Sequence, residues 1–201
     1  MSSLRIALTG GIACGKSTVG EIFQTLGAEL ISLDVLSREV VEPGTPGLAE
    51  LTQHFGSQIL DSENHLDRAK LRSLLLESED NKQAIEQILH PKILKNMEIK
   101  IKNCKKPLII VEIPLLVEKN LEKSFDRAII VRCNAQNQLK RLKNRENIDE
   151  NQAKQLIKSQ CSDNQRLEVA QQLPTDIINN NADAAKLKQQ VTQLYQHLVN
   201  L

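Results

Sequence analysis

GGIACGKS, residues 10–17, matches the pattern G-x-x-x-x-G-K-[ST] of a phosphate-binding loop. A short apolar run precedes it and apolar residues at helical spacing follow it, which is the strand–loop–helix context that the pattern requires. Glycines let the backbone wrap around phosphate oxygens, and amide N–H groups at a helix N-terminus attract their negative charge. We expect Lys16 to reach the β- and γ-phosphates and the Ser17 hydroxyl to ligate Mg²⁺. The segment therefore predicts a nucleoside triphosphate site.

Four further short apolar runs, at residues 28–33, 108–111, 128–131 and 176–178, resemble buried strands. They are continuously apolar rather than alternating, which is typical of a parallel sheet covered on both faces. Segments with helical periodicity lie between them and indicate right-handed crossovers. We therefore predict an α/β fold with a parallel sheet.

The long separation between the second and third predicted strands indicates a helical insertion. We assign residues 1–34, 105–134 and 172–201 to the core of a single chain and residues 35–104 to a helical insertion suited to holding a substrate beside the sheet. Residues 135–171 form a polar helical stretch that we assign to a lid. Within the insertion, Pro91 is expected to begin a new helix after the stripe of Ile85, Ile88 and Leu89.

Composition excludes several classes of function. The 26 Lys and Arg nearly balance the 25 Asp and Glu, and three Phe, one Tyr and no Trp leave few rings for stacking bases, so we expect no nucleic-acid partner. The longest apolar stretch is far too short for a membrane span, and no signal-peptide pattern opens the chain. We therefore expect a cytoplasmic protein with no membrane partner, four reduced cysteines and no CxxC or zinc spacing.

Charged residues near the predicted strand ends suggest phosphoryl-transfer chemistry. Asp34 could accept a proton from an acceptor hydroxyl, or it could cap a helix. Arg38 could bind an anionic acceptor, and Glu112 could organise Mg²⁺ or its waters, although an exposed arginine and a polar strand end are the simpler alternatives. Arg141 and Arg145 share a helix face and could stabilise the transferring charge, or they could form a solvated basic surface.

Cys14 lies within the phosphate loop at a helix N-terminus, which can lower the pKa of a thiol. We hypothesise that its oxidation blocks ATP binding; the alternative is that it only fills space in the loop. His90, at a predicted helix junction, is more often structural than catalytic.

Several segments together resemble bacterial dephospho-CoA kinases over nearly the whole length of the chain. The most specific are Leu89-His90-Pro91 and Pro114-Leu115-Leu116, and both are less general than the phosphate loop. The other matching segments are residues 8–12, 15–18, 34 with 38–44, 54–56, 66–68 with 71–72, 117–118, 138–142 with 145, 160 with 166–167, and 176–178 with 180.

This resemblance implies a three-layer P-loop NTPase fold with a five-stranded parallel sheet, a helical substrate-binding insertion and a helical lid. It also implies transfer of the ATP γ-phosphoryl group to the ribose 3′-hydroxyl of dephospho-CoA, which gives coenzyme A. The implied cofactors are ATP and Mg²⁺, and the implied partner is dephospho-CoA. We expect a monomer.

The resemblance also assigns roles to individual residues. The expected catalytic residues are Thr9, Lys16, Asp34 and Arg141. The expected ATP-binding residues are Gly11, Ile12, Ala13, Cys14, Gly15, Lys16, Ser17, Thr18, Arg145 and Asn180, with Ser17 also the metal ligand. The expected substrate-binding residues are Asp34, Arg38, His90, Pro114 and Leu115.

The chain departs from the family pattern at four places. Ala13 and Cys14 stand where Gly and Ser are common, and the loop amides tolerate both changes provided that Ala13 does not have positive φ. Ser32 replaces the first Asp of a usual Asp-x-Asp, which leaves Asp34 alone. Residues 171–175 form a longer link to the last strand, which bears on the adenine contact expected of Asn180.

Two other functions are compatible with a phosphate loop. One is a nucleoside or nucleotide kinase of the same fold, and the other is a nucleotide-dependent switch that acts through a partner. The switch is disfavoured because the chain has neither an N-K-x-D base-reading motif nor a D-x-x-G switch motif.

Overall fold

The computed structural model describes residues 3–201. The chain divides into two compact units. The first comprises the residues up to Ser32 together with Cys104–Leu201, and the second is Leu33–Asn103. Among the described residues, no helix combines the length and apolarity needed to cross a membrane.

A five-stranded parallel sheet forms the centre of the first unit and confirms the predicted α/β class. Its strands are β1 (Leu4–Gly10), β2 (Glu29–Ser32), β3 (Leu108–Glu112), β4 (Arg127–Arg132) and β5 (Thr175–Asn179), in the spatial order β2-β3-β1-β4-β5. All four pairings are parallel. The strand C-termini therefore share one edge of the sheet, and the phosphate loop leaves β1 at that edge.

Nine α-helices occur among the described residues. In chain order they are α1 (Lys16–Thr25), α2 (Leu33–Glu39), α3 (Pro46–Phe55), α4 (Arg68–Glu77), α5 (Glu79–Asn103), α6 (Ala135–Glu146), α7 (Glu150–Lys158), α8 (Asp163–Leu167) and α9 (Ala184–Leu198). Helices α2–α5 lie in the second unit, and the others lie in the first.

The core of the first unit is aliphatic, as its composition predicts. Val19 and Phe23 of α1 and Val191 of α9 are fully buried in one cluster with Ile6 and Leu8 of β1. Continuous apolar strands form here because helices cover the sheet and remove both side-chain faces from water. This packing fixes β1 and α1, and with them the two ends of the phosphate loop.

The second unit has its own smaller core. Leu48 and Leu51 of α3 pack with Ile59 and with Ile85 of α5, and Thr45 caps the N-terminus of α3 by accepting from the Leu48 amide.

The prediction that Pro91 begins a new helix is wrong, because α5 is one helix of 25 residues with Pro91 inside it. An interior proline removes a hydrogen bond and costs about 3 kcal/mol, but packing on both sides can hold such a helix together. Ile85 before the proline and Met97 and Ile101 after it are all buried.

Candidate functional site

The phosphate loop has the backbone conformation that its sequence predicts, with one exception. Gly10 and Gly15 have φ of 151° and 94°, and a Cβ on Gly10 would lie 2.2 Å from the Val131 carbonyl oxygen. Ala13 also has positive φ, at 59°. The expectation that Ala13 would avoid positive φ is therefore wrong. The alanine adopts the left-handed conformation, at a cost of about 1–2 kcal/mol.

Lys16 lies over the loop that it belongs to. Its Nζ donates to the carbonyl oxygen of Gly10 at 2.8 Å and to that of Gly11 at 3.3 Å, and the residue is 9% exposed. The ammonium group is thereby placed at the mouth of the loop, where it can exchange a carbonyl contact for a phosphate oxygen.

Ser17 and Glu112 meet at the C-terminal edge of the sheet. The Ser17 hydroxyl donates to Oε1 of Glu112 at 2.8 Å, and Glu112 is the last residue of β3. Hydroxyl and carboxylate oxygens are ligands that suit Mg²⁺, which in nucleotide sites also keeps waters and phosphate oxygens. No cluster of three or more His, Cys, Asp or Glu side chains suited to a metal occurs within residues 3–201. Ser17 and Glu112 thus fit a Mg²⁺ ion whose other ligands are water and the phosphate oxygens of a nucleotide.

Asn180 forms a hydrogen bond with the backbone of the phosphate loop. Its Nδ2 donates to the Cys14 carbonyl oxygen at 2.8 Å, and its Oδ1 accepts from Arg141 at 3.5 Å. Nη1 of Arg141 is buried without a hydrogen-bond partner. Asn180 thus connects the loop to Arg141; its expected contact with adenine stays a prediction.

Two further residues reach the loop from the stretch assigned to a lid, and the sequence analysis gave them no role. Oε1 of Gln160 accepts from the Ile12 amide at 2.8 Å and from Nη2 of Arg166 at 3.5 Å. Arg166 is 4% exposed, and its Nη1 lies 3.5 Å from where a Cβ on Gly11 would stand. Both residues belong to the segments that resemble dephospho-CoA kinases. That resemblance is the only feature of the sequence that points to them.

Arg166 has one ion pair and one unsatisfied group. Its Nη1 donates to Asp163 at 3.1 Å, whereas its Nε is buried with no partner. Burying a guanidinium is unfavourable unless its donors are satisfied. The Nε of Arg166 is therefore a donor that a bound anion can satisfy.

The loop thiol is paired. Sγ of Cys14 lies 2.7 Å from Sγ of Cys133, the residue that follows β4. The hydrogen bond from Cys133 lowers the pKa of Cys14 to about 7, while Cys14 raises the pKa of Cys133 well above its ordinary value. The pair therefore shares one proton over a range of pH in which two ordinary thiols would both stay protonated.

The other predicted residues of the first unit take varied positions. Thr9 is buried in β1, and Thr18 is exposed in the first turn of α1. Arg145 is exposed on α6 and pairs with its neighbour Glu146 at 2.8 Å. Pro114 and Leu115 lie just beyond β3, after Ile113.

The second unit carries the remaining predicted residues. Asp34 and Arg38 are exposed at opposite ends of α2, and His90 is half-buried in α5. Because α2 begins at Leu33, Asp34 lies inside the first helical turn and is not the residue before the helix. A carboxylate in the first turn also stabilises a helix, so the helix-stabilising alternative stays open.

Comparisons with known proteins identify the family of the chain. The family model described as dephospho-CoA kinase matches residues 4–186. A dephospho-CoA kinase of Shewanella oneidensis is 37% identical over 201 residues, covering all of this chain and 96% of the relative. One of Vibrio parahaemolyticus is 39% identical over 195 residues, covering 96% of this chain and 94% of the relative.

A solved structure is similar over the same length. The dephospho-CoA kinase from Campylobacter jejuni has a TM-score of 0.71 and 28% identity, with 98% of this chain and 97% of that chain covered. The chain belongs to the dephospho-CoA kinase family, whose members phosphorylate dephospho-CoA in the last step of coenzyme A biosynthesis.

Proposed function

We propose that this protein transfers the γ-phosphoryl group of ATP to the ribose 3′-hydroxyl of dephospho-CoA, with Mg²⁺ as the metal. The observation that carries the proposal is the contact of Ser17 with Glu112 beside a complete phosphate loop, in a chain that matches the family over its length. The protein is proposed to act as a monomer in the cytoplasm on small molecules, with no nucleic-acid or membrane partner.

The phosphate loop holds ATP in this proposal. Amides of residues 11–18 surround the phosphates, and the α1 N-terminus adds its positive dipole end. Lys16 exchanges its contacts with Gly10 and Gly11 for the β- and γ-phosphates. Ser17 and Glu112 hold Mg²⁺ directly or through water, and the bound ion neutralises charge on the phosphate oxygens.

The arginines stabilise the charge of the transferring group. Arg141 and Arg166 each keep a buried N–H without a protein partner, so each can donate to phosphate without giving up a hydrogen bond at that atom. The burial of these two nitrogen atoms strengthens such contacts, because charge interactions are screened less away from water. Arg145 is exposed, and its proposed contact with ATP requires that it release Glu146.

Asp34 is the proposed base. It follows the end of β2 by two residues, and Ser32 pairs with Glu112 at the C-terminal edge of the sheet. Ligands of open α/β sheets bind beyond this edge. A carboxylate there orients the acceptor hydroxyl and takes its proton as the O–P bond forms.

The proposed substrate contacts come from four residues. Arg38 supplies positive charge for an anionic group of dephospho-CoA, and His90 supplies a ring nitrogen for a hydrogen bond. Pro114 and Leu115 supply apolar surface, and Leu115 is 37% exposed. Asn180 is proposed to lie near the adenine of ATP.

A substrate panel tests the proposal. Purified protein with Mg²⁺ and ATP is given dephospho-CoA, nucleosides or nucleoside monophosphates, and products are identified by mass spectrometry. We expect coenzyme A only from dephospho-CoA, with ADP in equal amount, and no product from Lys16→Ala. Phosphorylation of a nucleoside in preference to dephospho-CoA would establish the alternative kinase, and ADP release that no acceptor stimulates would refute transfer.

A further inference from the structure

Cys14 and Cys133 form a dithiol at the base of the phosphate loop. Their sulphur atoms are 2.7 Å apart, so roughly 0.7 Å of approach gives the S–S distance of a disulfide. Cys14 is 2% exposed and Cys133 is partly buried, and both are free thiols within one unit. The catalytic scheme above uses neither sulphur.

We propose that Cys14 and Cys133 form a reversible disulfide that lowers nucleotide binding and thereby makes the enzyme sensitive to peroxide. This inference rests on the proposed binding of ATP in the phosphate loop and adds a modification site to it. The other two cysteines do not take part. Cys104 accepts a hydrogen bond from the Lys106 amide at 3.4 Å, and the amide of Cys161 donates to Glu118 at 3.0 Å.

Hydrogen peroxide is the oxidant of the proposed reaction. The Cys14 thiolate attacks one peroxide oxygen, which breaks the O–O bond and gives a sulfenic acid and hydroxide. The Cys133 sulphur then attacks the Cys14 sulphur, and the sulfenic hydroxyl leaves as water with the remaining proton. The two thiols lose two electrons and two protons, and the peroxide becomes two waters. The hydrogen bond from Cys133 is the main cause that lowers the pKa of Cys14 to about 7, against the opposing effect of burial, and it thereby supplies the thiolate at neutral pH.

The bond would connect two parts of the site. Cys14 belongs to the loop, and its carbonyl is held by Asn180. Cys133 precedes Asn134, which caps α6, the helix that carries Gln138 and Arg141. Gln138 also donates to the Ile12 carbonyl oxygen at 3.0 Å.

A shift of a few tenths of an ångström in the loop is large for amides that must all face phosphate. We expect the disulfide to weaken ATP binding about 10-fold, which corresponds to a loss of about 1.4 kcal/mol of binding free energy.

Linkage makes the effect reciprocal. If the disulfide weakens ATP binding by a given factor, ATP opposes disulfide formation by the same factor. Saturating ATP should therefore shift the dithiol–disulfide equilibrium about 10-fold toward the dithiol, measured in a redox buffer.

The test uses the whole chain in wild-type form and as Cys133→Ser, with Cys104→Ser as the control. Each protein is treated with hydrogen peroxide, blocked with an alkylating agent, and analysed by peptide mass spectrometry and by ATP titration. We expect a Cys14–Cys133 linked peptide and about 10-fold weaker ATP binding in wild type and in Cys104→Ser, both reversed by dithiothreitol. Cys133→Ser should give no linked peptide and should keep the ATP affinity of the reduced wild type under mild oxidation.

Two results would overturn the inference. One is the absence of the linked peptide after loss of free thiol at Cys14. The other is a quantitative disulfide whose ATP affinity equals that of the reduced protein. Neither readout uses dephospho-CoA, so failure of the redox inference and failure of the proposed kinase reaction are separate outcomes.

Discussion

Ala13 combines a side chain with a backbone conformation that normally favours glycine. At φ 59° its Cβ is crowded by the adjacent carbonyl, and glycine would remove that strain. We expect Ala13→Gly to raise the free energy of unfolding by up to ~1 kcal/mol, measured by urea denaturation. Ala185→Gly, at an exposed site in the first turn of α9, should lower it by up to ~1 kcal/mol. Equal losses in both variants would contradict the strain at Ala13.

A substitution at Asp34 tests whether its carboxylate is catalytic or only stabilises a helix. We expect Asp34→Asn to lower kcat by about 10²- to 10⁴-fold while leaving the ATP dissociation constant unchanged, because the carboxylate acts on the acceptor. Asp80→Asn is the matched control, since Asp80 is an exposed aspartate in the first turn of α5 in the same unit. Steady-state kinetics and ATP titration measure both variants. A kcat for Asp34→Asn as high as that of the control would remove Asp34 from the mechanism.

Strand β3 places its final side chain where the metal is proposed to bind. We expect Glu112→Gln to raise the Mg²⁺ concentration for half-maximal activity by about 10-fold, because the neutral amide loses charge but keeps an oxygen near Ser17. Glu29→Gln is the control, since Glu29 begins β2 at the opposite edge of the sheet and pairs with Lys106. Activity titrated with Mg²⁺ provides the measurement. An unchanged requirement in Glu112→Gln would show that the carboxylate only orients Ser17.

Regular elements could be predicted better than the contacts between them. The strands could be predicted because continuous burial leaves continuous apolar runs, and Glu112 ends such a run. The prediction of a helix start at Pro91 is wrong because it rests on the local preference of proline for the first turn of a helix. Tertiary packing outweighs that preference and keeps α5 continuous. The contact of Gln160 with Ile12 joins residues 148 positions apart, and no local pattern encodes such a contact. The pairing of Cys14 with Cys133 was missed for the same reason.

At the scale of the whole molecule, the thiol pair should make stability depend on pH. The lowered pKa of Cys14 adds stability that is lost as pH falls from 9 toward 7, since an unfolded thiol titrates near 9.0. The raised pKa of Cys133 adds stability that is lost as pH rises above 9. The contribution of the pair should therefore rise from pH 7 to 9 and fall beyond it.

Comparison with Cys133→Ala isolates this dependence, because alanine cannot donate to the Cys14 sulphur and other titrating groups cancel in the difference. The measurement is urea denaturation of both proteins under reducing conditions from pH 6.5 to 10. A constant difference across that range would show that the two thiols titrate independently.

The hydrogen bond from the Ile12 amide to Gln160 has a consequence for the affinity of the loop for phosphate. A phosphate that takes this amide must displace the glutamine oxygen, so the free energy of binding is the difference between two hydrogen-bonded states. The displaced Gln160 also gives up its contact with Arg166, which is then available to the arriving anion. The Gln160 side chain thus competes with phosphate for the Ile12 amide, and the loop binds phosphate less tightly than it would without this hydrogen bond.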